Sequence, residues 1–275
     1  MKIHNSVMRN GPFIAIGFIM VFGFIFLSCD DDSSPSGPNV DNTNYSASED
    51  FSYRIATGNN TNLRLEAING NVEVEGVSGI DSVRIWGERK VESESVADAE
   101  AHLSELSVEI NEHGGQIIMW TDQPEKNYGR NYQVEYNIQV PEDWQLDIEE
   151  VNGNINISDM EQSVVAGLTN GNLYLWDISG SVDGELINGN IDSKIVLPAA
   201  GVCELSIMNG QIDLMIPQPT SATFLASVMN GEIDLTNISL QNQTVTSTSV
   251  VGTLGSGNGK VNLSTMNGNI RVTGF

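Results

Sequence analysis

The sequence is poor in the residues that most enzyme chemistry needs. Of 275 residues, two are cysteine and three are histidine. Two cysteines cannot build a disulfide framework, and a chain this long buries a core without one. The histidines stand apart, with His4 near the N-terminus, His102 in a charged stretch of helical spacing and His113 in a turn. No standard zinc spacing joins them. Gly-x-Ser-x-Gly, the phosphate loop and the dinucleotide fingerprint are all missing. Gly255 to Lys260 (GSGNGK) has a phosphate loop's glycines but neither its spacing nor a hydroxyl residue after Lys260. It reads as an ordinary loop.

Positive charge is the second deficit. Lys plus Arg number 12 against 36 Asp plus Glu, a formal net charge of -24. That balance argues against nucleic acid and anionic bilayer surfaces as partners. Between Asn152 and Phe275 the bases are only Lys194, Lys260 and Arg271. This is too sparse for the clefts in which β-helix enzymes cleave acidic polysaccharides, so that enzyme is the least favoured reading. No catalytic residue, metal or cofactor is expected.

Long apolar runs are also lacking, with one exception. Pro12 to Ser28 (PFIAIGFIMVFGFIFLS) is apolar and follows Lys2 and Arg9, the layout of a targeting segment. It ends in Leu27-Ser28-Cys29, which resembles the lipobox of bacterial lipoproteins, although Phe26 stands where those proteins usually carry Leu. The resemblance implies a signal peptide over 1–28, cleavage before Cys29, and lipid on Cys29. A plain transmembrane anchor with an incidental cysteine is the other reading, and both export the remaining chain. Residues 29–50 open on Asp30, Asp31 and Asp32 and are rich in Ser, Asn and Pro, as expected of a disordered acidic tether. Acids directly after a lipidated cysteine resemble the surface-export signal of some Gram-negative lipoproteins. The implied location is the outer membrane, facing the periplasm or the cell surface.

What the sequence has in abundance is Asn-Gly. The pair opens at Asn69, Asn152, Asn170, Asn188, Asn209, Asn230 and Asn267, with intervals of 18, 18, 21 and 21 from Asn152 to Asn230. Six places before each Asn stand Leu63, Leu146, Val164, Val182, Cys203, Phe224 and Val261, all apolar. Three places after it stand Val72, Ile155, Leu173, Ile191, Ile212, Ile233 and Ile270. Polar residues alternate with these columns, the signature of strands with one buried face. Cys203 falls in an apolar column and reads as a buried small hydrophobe, not a reactive thiol.

Two architectures satisfy the columns: a meander of two-residue hairpins, or a β-solenoid in which Asn-Gly is a corner and equivalent strands stack about 4.8 Å apart. The solenoid is favoured because stacking explains why one residue type recurs in one column. The turn-defining residues are then Asn152, Gly153, Asn170, Gly171, Asn188, Gly189, Asn209, Gly210, Asn230, Gly231, Asn267 and Gly268. The expected class is all-β, a β-solenoid of short strands over 51–275, irregular over 51–145 and regular over 146–275. One helix is expected near Val96, Ala99, Leu103 and Leu106, with Ser95 and Asp98 as a capping box, then a hairpin around Gly114 and Gly115. The terminal stretch LGSGNGKVNLSTMNGNIRV is expected to close the stack.

Serial VNGNI, TNGNL, INGNI, MNGQI and MNGEI, with IQVPEDW before them and the closing segment after, resemble the Toastrack family of β-solenoid domains over about 51–275. That family bears an adhesin name and has no established reaction. Its turn is more often Ser-Gly-Asp, so Asn-Gly-Asn is a variation within one turn chemistry. The resemblance implies the fold.

One outward column stands out. Tyr174, Asp192, Asp213 and Asp234 follow their Asn by four places, with Trp176 two further along. Stacked aspartates could coordinate a cation or accept sugar hydroxyls beside the aromatics. They could equally be a solvated face that prevents edge pairing between molecules. The reading is a lipid-anchored envelope protein, a non-catalytic adhesin-like or structural module making multivalent contacts through this acidic face, with a glycan or another envelope protein as partner. The alternative is an envelope-stress sensor or regulator that engages another envelope protein through its N-terminal half.

Overall fold

The computed structural model describes residues 45–275. The signal segment 1–28, Cys29 and the tether up to residue 44 lie outside the described residues. In chain order the first strands are β1 (Tyr45–Ala56), β2 (Asn62–Glu66), β3 (Val72–Val77) and β4 (Ser82–Ser93). Then come helix α1 (Val96–His102), β5 (Ser107–His113), β6 (Gln116–Asp122), β7 (Asn131–Pro141), β8 (Gln145–Asn152) and β9 (Ile155–Ser158). The repeats follow as β10 (Val164–Ile178), β11 (Val182–Ile195), β12 (Val202–Ile216), β13 (Ala222–Asn230) and β14 (Ile233–Thr236). The chain ends with β15 (Gln241–Val245), β16 (Ser249–Leu254), β17 (Gly259–Asn267) and β18 (Ile270–Gly274).

The pairing is that of a solenoid. β10 runs unbroken through Asn170-Gly171 and lies parallel to β11, with Val164 opposite Val182, Asn170 opposite Asn188 and Leu173 opposite Ile191. β11 meets β12 in the same register, Asn188 on Asn209 and Ile191 on Ile212. Each Asn-Gly is therefore a corner within one rung, and the meander is excluded. The columns before and after the corner form one continuous core, in which Leu63, Val164, Ile191, Cys203 and Ile212 are fully buried.

The recurrence of glycine at the corner follows from packing. Gly171 has φ +139°, and a Cβ there would sit 1.5 Å from the carbonyl oxygen of Gly153. Gly189 meets Gly171 in the same way. Backbone rides on backbone at every corner, so a side chain is excluded by space as well as by φ.

The neighbouring asparagines form a ladder. Asn170 Nδ2 donates to Asn152 Oδ1 at 2.8 Å, Asn188 to Asn170 at 2.9 Å and Asn209 to Asn188 at 2.9 Å. A second ladder runs two residues on, where the backbone N–H of Asn172 and that of Asn190 donate to the Oδ1 of Asn154 and Asn172.

Three expectations are corrected. First, the tether does not extend to residue 50, because Tyr45 to Asp50 already pair with β4. β1 is an edge strand with mostly exposed side chains, so main-chain bonding orders a stretch whose composition reads as unstructured. Second, the N-terminal part contains a regular rung, with β2 on β8, β3 on β9, and Asn152 donating to Asn69 at 2.8 Å.

Third, the C-terminal segment does not close the stack. β17 and β18 insert between the rung of β12 and that of β13 and β14, so Asn267 donates to Asn209 while Asn230 donates to Asn267. Insertion gives the apolar residues of β17 and β18 neighbours on both sides. Leu263, Ile270 and Val272 are fully buried, whereas Ile233 and Leu235 in the outer rung are only partly so. At that end β16 covers the outer edge of β13 antiparallel, and β15 pairs with β16.

The opposite end is built differently. The hairpin β5–β6 extends the arm of β2, and β7, β4 and β1 extend the arm of β3. Helix α1 forms where expected, with Ser95 Oγ accepting from Asp98 N–H at 3.1 Å. The carboxylate of Asp98 goes not to its own cap but to Arg130, at 2.7 Å on both oxygens.

Candidate functional site

The arm after each corner turns alternate side chains outward. Across β9 to β14 the column four places after the Asn runs Asn156, Tyr174, Asp192, Asp213, Arg271, Asp234. Tyr174 is half-buried and Trp176 is 37% exposed, projecting near a register slip between Leu175 and Ile178. Asp177 in that slip has φ +54° and accepts from Lys194 at 2.5 Å. The structure thus brings Tyr174, Trp176 and Asp192 together on one face.

It does not bring the three aspartates together. Asp192 and Asp213 are rung neighbours, but Arg271 stands between Asp213 and Asp234 and donates to Asp213 Oδ1 at 3.0 Å. Gln211 also donates to Asp213. Like charges one rung apart repel by about 1 kcal/mol in water and more where solvent is partly excluded. The inserted strand relieves this with an opposite charge. Partial burial, then the charge of Asp213, raises the Asp192 carboxyl above its usual range. Among the described residues no group of three or more His, Cys, Asp or Glu is placed to hold a metal ion.

The other arm has an acidic outer face that column reading undervalued. Asp183 lies beside Glu204 on the neighbouring strand, and Glu185 follows Asp183 on the same face. Burial first, then neighbouring acids, raises both Asp183 and Glu185, while hydrogen bonding to Lys260 lowers Glu204. The signal was present in the sequence as acids five and three places before the Asn.

A more unusual group is Glu150. It occupies a column that elsewhere holds Ala67, Leu168, Leu186, Ile207, Val228 and Thr265, and it is only 4% exposed. Neither carboxyl oxygen has a hydrogen-bond partner among the described residues. Burial, reinforced by Glu135, pushes its pKa up to about 8. It lies beneath Gly153, whose glycine hydrogen points where a Cβ would come 2.5 Å from Glu150 Oε1. Above it, Asn69, Asn71, Gln133, Glu135 and Asn152 help line an open polar hollow of about 380 Å³. The one acid in a mostly apolar column was the legible sign. Cys203, by contrast, is fully buried, and burial pushes its thiol up to about 12. It is packing, not chemistry.

These features define a β-solenoid with polar, amide-rich corners and two charged outer faces. Residues 145–273 match the family model described as Toastrack DUF4097. No curated protein matches the chain. Among solved structures it is similar to a "putative cell adhesion protein" of Clostridium sporogenes, at 12% identity and TM-score 0.42 over 83% of this chain and 100% of that one. It is also similar to a "putative adhesin" of Bacteroides fragilis, at 10% identity and TM-score 0.34 over 82% and 97%. A "putative lipid binding protein" of Parabacteroides distasonis gives 12%, 0.34, 83% and 95%. No helix of the described residues is long and apolar enough to cross a membrane.

Proposed function

We propose that the protein is a lipid-anchored, non-catalytic binding module of the outer membrane, held through Cys29, whose outer face binds hydroxyl-rich glycan. The observation that carries this reading is the juxtaposition of Tyr174, exposed Trp176 and Asp192 on one rigid sheet face. An aromatic ring beside a carboxylate offers a sugar an apolar platform and a hydroxyl acceptor together. Arg271 within the aspartate column favours a neutral ligand over a bound cation. Rung spacing repeats polar contacts along the face, so weak individual contacts gain avidity on a polymeric ligand.

The test is binding of the full-length protein in detergent to immobilised envelope polysaccharides. Trp176→Ala and Asp192→Asn are each expected to weaken retention at least several-fold, with melting temperature unchanged. Retention unaffected by both changes would remove the face from consideration. Cys29→Ala is expected to leave the signal uncut and to abolish radiolabelled palmitate incorporation. Labelling that survives this change would overturn the lipid anchor.

A further inference from the structure

The two arms of the solenoid end unequally at the rung of Asn230. The outer edge of β13 is covered by β16, whereas β14 pairs only with β18 among the described residues. In a parallel pair each strand directs its main-chain groups alternately to one neighbour and the other. With β18 on one side, alternate N–H and C=O groups of β14 therefore face an open edge. Beside that edge lies a groove of about 320 Å³, with Glu232, Ile233 and Asp234 on one wall and Val245, Thr246 and Val250 on the other. Ile233 and Leu235 are only partly buried there, and Val245 is 62% exposed.

The molecule shows within itself what such an edge accepts. β12 presents Ile212-Asp213-Leu214, and β18 adds to it in parallel as Ile270-Arg271-Val272, with Arg271 on Asp213. β14 presents the same triplet, Ile233-Asp234-Leu235, and its outer edge has no such addition among the described residues. The Asn ladder also stops there. Asn230 Nδ2 donates to Asn267, and no donor among the described residues reaches Asn230 Oδ1. A second copy is a poor occupant, because it carries the same large negative charge and its own β14 would set Asp234 against Asp234.

We propose that the edge of β14 is a strand-addition site for a partner protein segment of apolar–Arg/Lys–apolar pattern, which extends the stack by one rung. The apolar residues would cover Ile233 and Leu235, the base would pair with Asp234, and main-chain bonding would supply the common affinity. Acids on an exposed edge discourage pairing with most strands. Here they also select the charge of the one that binds. The site lies on other residues than the glycan face and stands independently of it.

The probe is a synthetic peptide with the sequence of Met266 to Gly274 (MNGNIRVTG), titrated by fluorescence anisotropy into the full-length protein in detergent. Saturable binding is expected, weakened about tenfold by Asp234→Lys in the protein. A peptide with Asp in place of the arginine should lose affinity for the native protein and regain it for Asp234→Lys. Hydrogen exchange should show new protection at Ile233 and Leu235, with β12 and β18 unchanged. No binding at millimolar peptide, equal binding of both peptides, or protection gained elsewhere would overturn the proposal.

Discussion

The interior rungs and the N-terminal end make the same core by opposite means. From Asn152 to Asn209 each rung lies on the one before it, and the same contacts recur: glycine carbonyl under glycine, amide to amide, Ile on Ile. The N-terminal end uses contacts that occur once. Phe51 packs edge-on against Tyr136 at 5.8 Å, Tyr136 shares a buried hydrogen bond with Thr121 at 2.8 Å, and Asp98 holds Arg130. Repetition lets a rung borrow its geometry from its neighbours, whereas an end must be specified residue by residue. Each region should therefore fail in its own way.

The largest effect is expected at an interior corner. Gly171→Ala places Cβ against a main-chain carbonyl that a stacked backbone cannot move, and should cost about 4 kcal/mol or abolish folding. Gly129→Ala, with φ +84° and nothing within 4 Å of the new Cβ, should cost about 1 kcal/mol from φ alone. Chemical denaturation of both variants would show whether close stacking, not φ, sets the penalty.

The next effect arises where the two regions join, at Glu150. Its folded pKa is raised to about 8, so the unfolded chain ionises first. The contribution of Glu150 to stability should be full below about pH 4, fall as pH rises toward 8, and level off above that. Glu150→Leu should remove this part of the slope and stabilise the protein at pH 9 by several kcal/mol, while changing little at pH 4. Denaturation midpoints of the two proteins across pH would check the sign, which is opposite to the usual carboxylate behaviour.

Smaller differences separate ladder positions. Asn188→Ala removes a donor and an acceptor inside the ladder and should cost about 1–2 kcal/mol. Asn230→Ala at the open end removes only one bond and should cost about half as much. Equal losses would mean that the ladder does not act rung by rung. Arg271→Gln should have the smallest effect, about 0.5 kcal/mol, because the pair with Asp213 is substantially exposed. That loss should shrink further at high salt.

Much of this was legible in the residues. The columns at Val164, Leu173 and their equivalents gave the rungs, the corner, the burial of Cys203 and the outward position of Tyr174, Trp176 and Asp192. Arg271 was legible too, since it shares the column of the aspartates. Its meaning was hidden because a column shows which residues are equivalent but not which rungs are adjacent. The ordered half of β1 was hidden for another reason: an edge strand paired through its backbone needs few apolar side chains. Glu150 could be seen as an exception to its column, but not as an unpaired carboxyl.

The sequence by itself determined the rung, because side-chain alternation and the glycine at each corner are local constraints that repeat wherever the motif is written. Only the tertiary structure decided the order of the rungs. A column marks residues as equivalent without saying which rung lies on which, and that choice depends on the connections between rungs and on the deeper burial that insertion gives β17 and β18. The same order places β14 at the end of its arm and leaves that edge open.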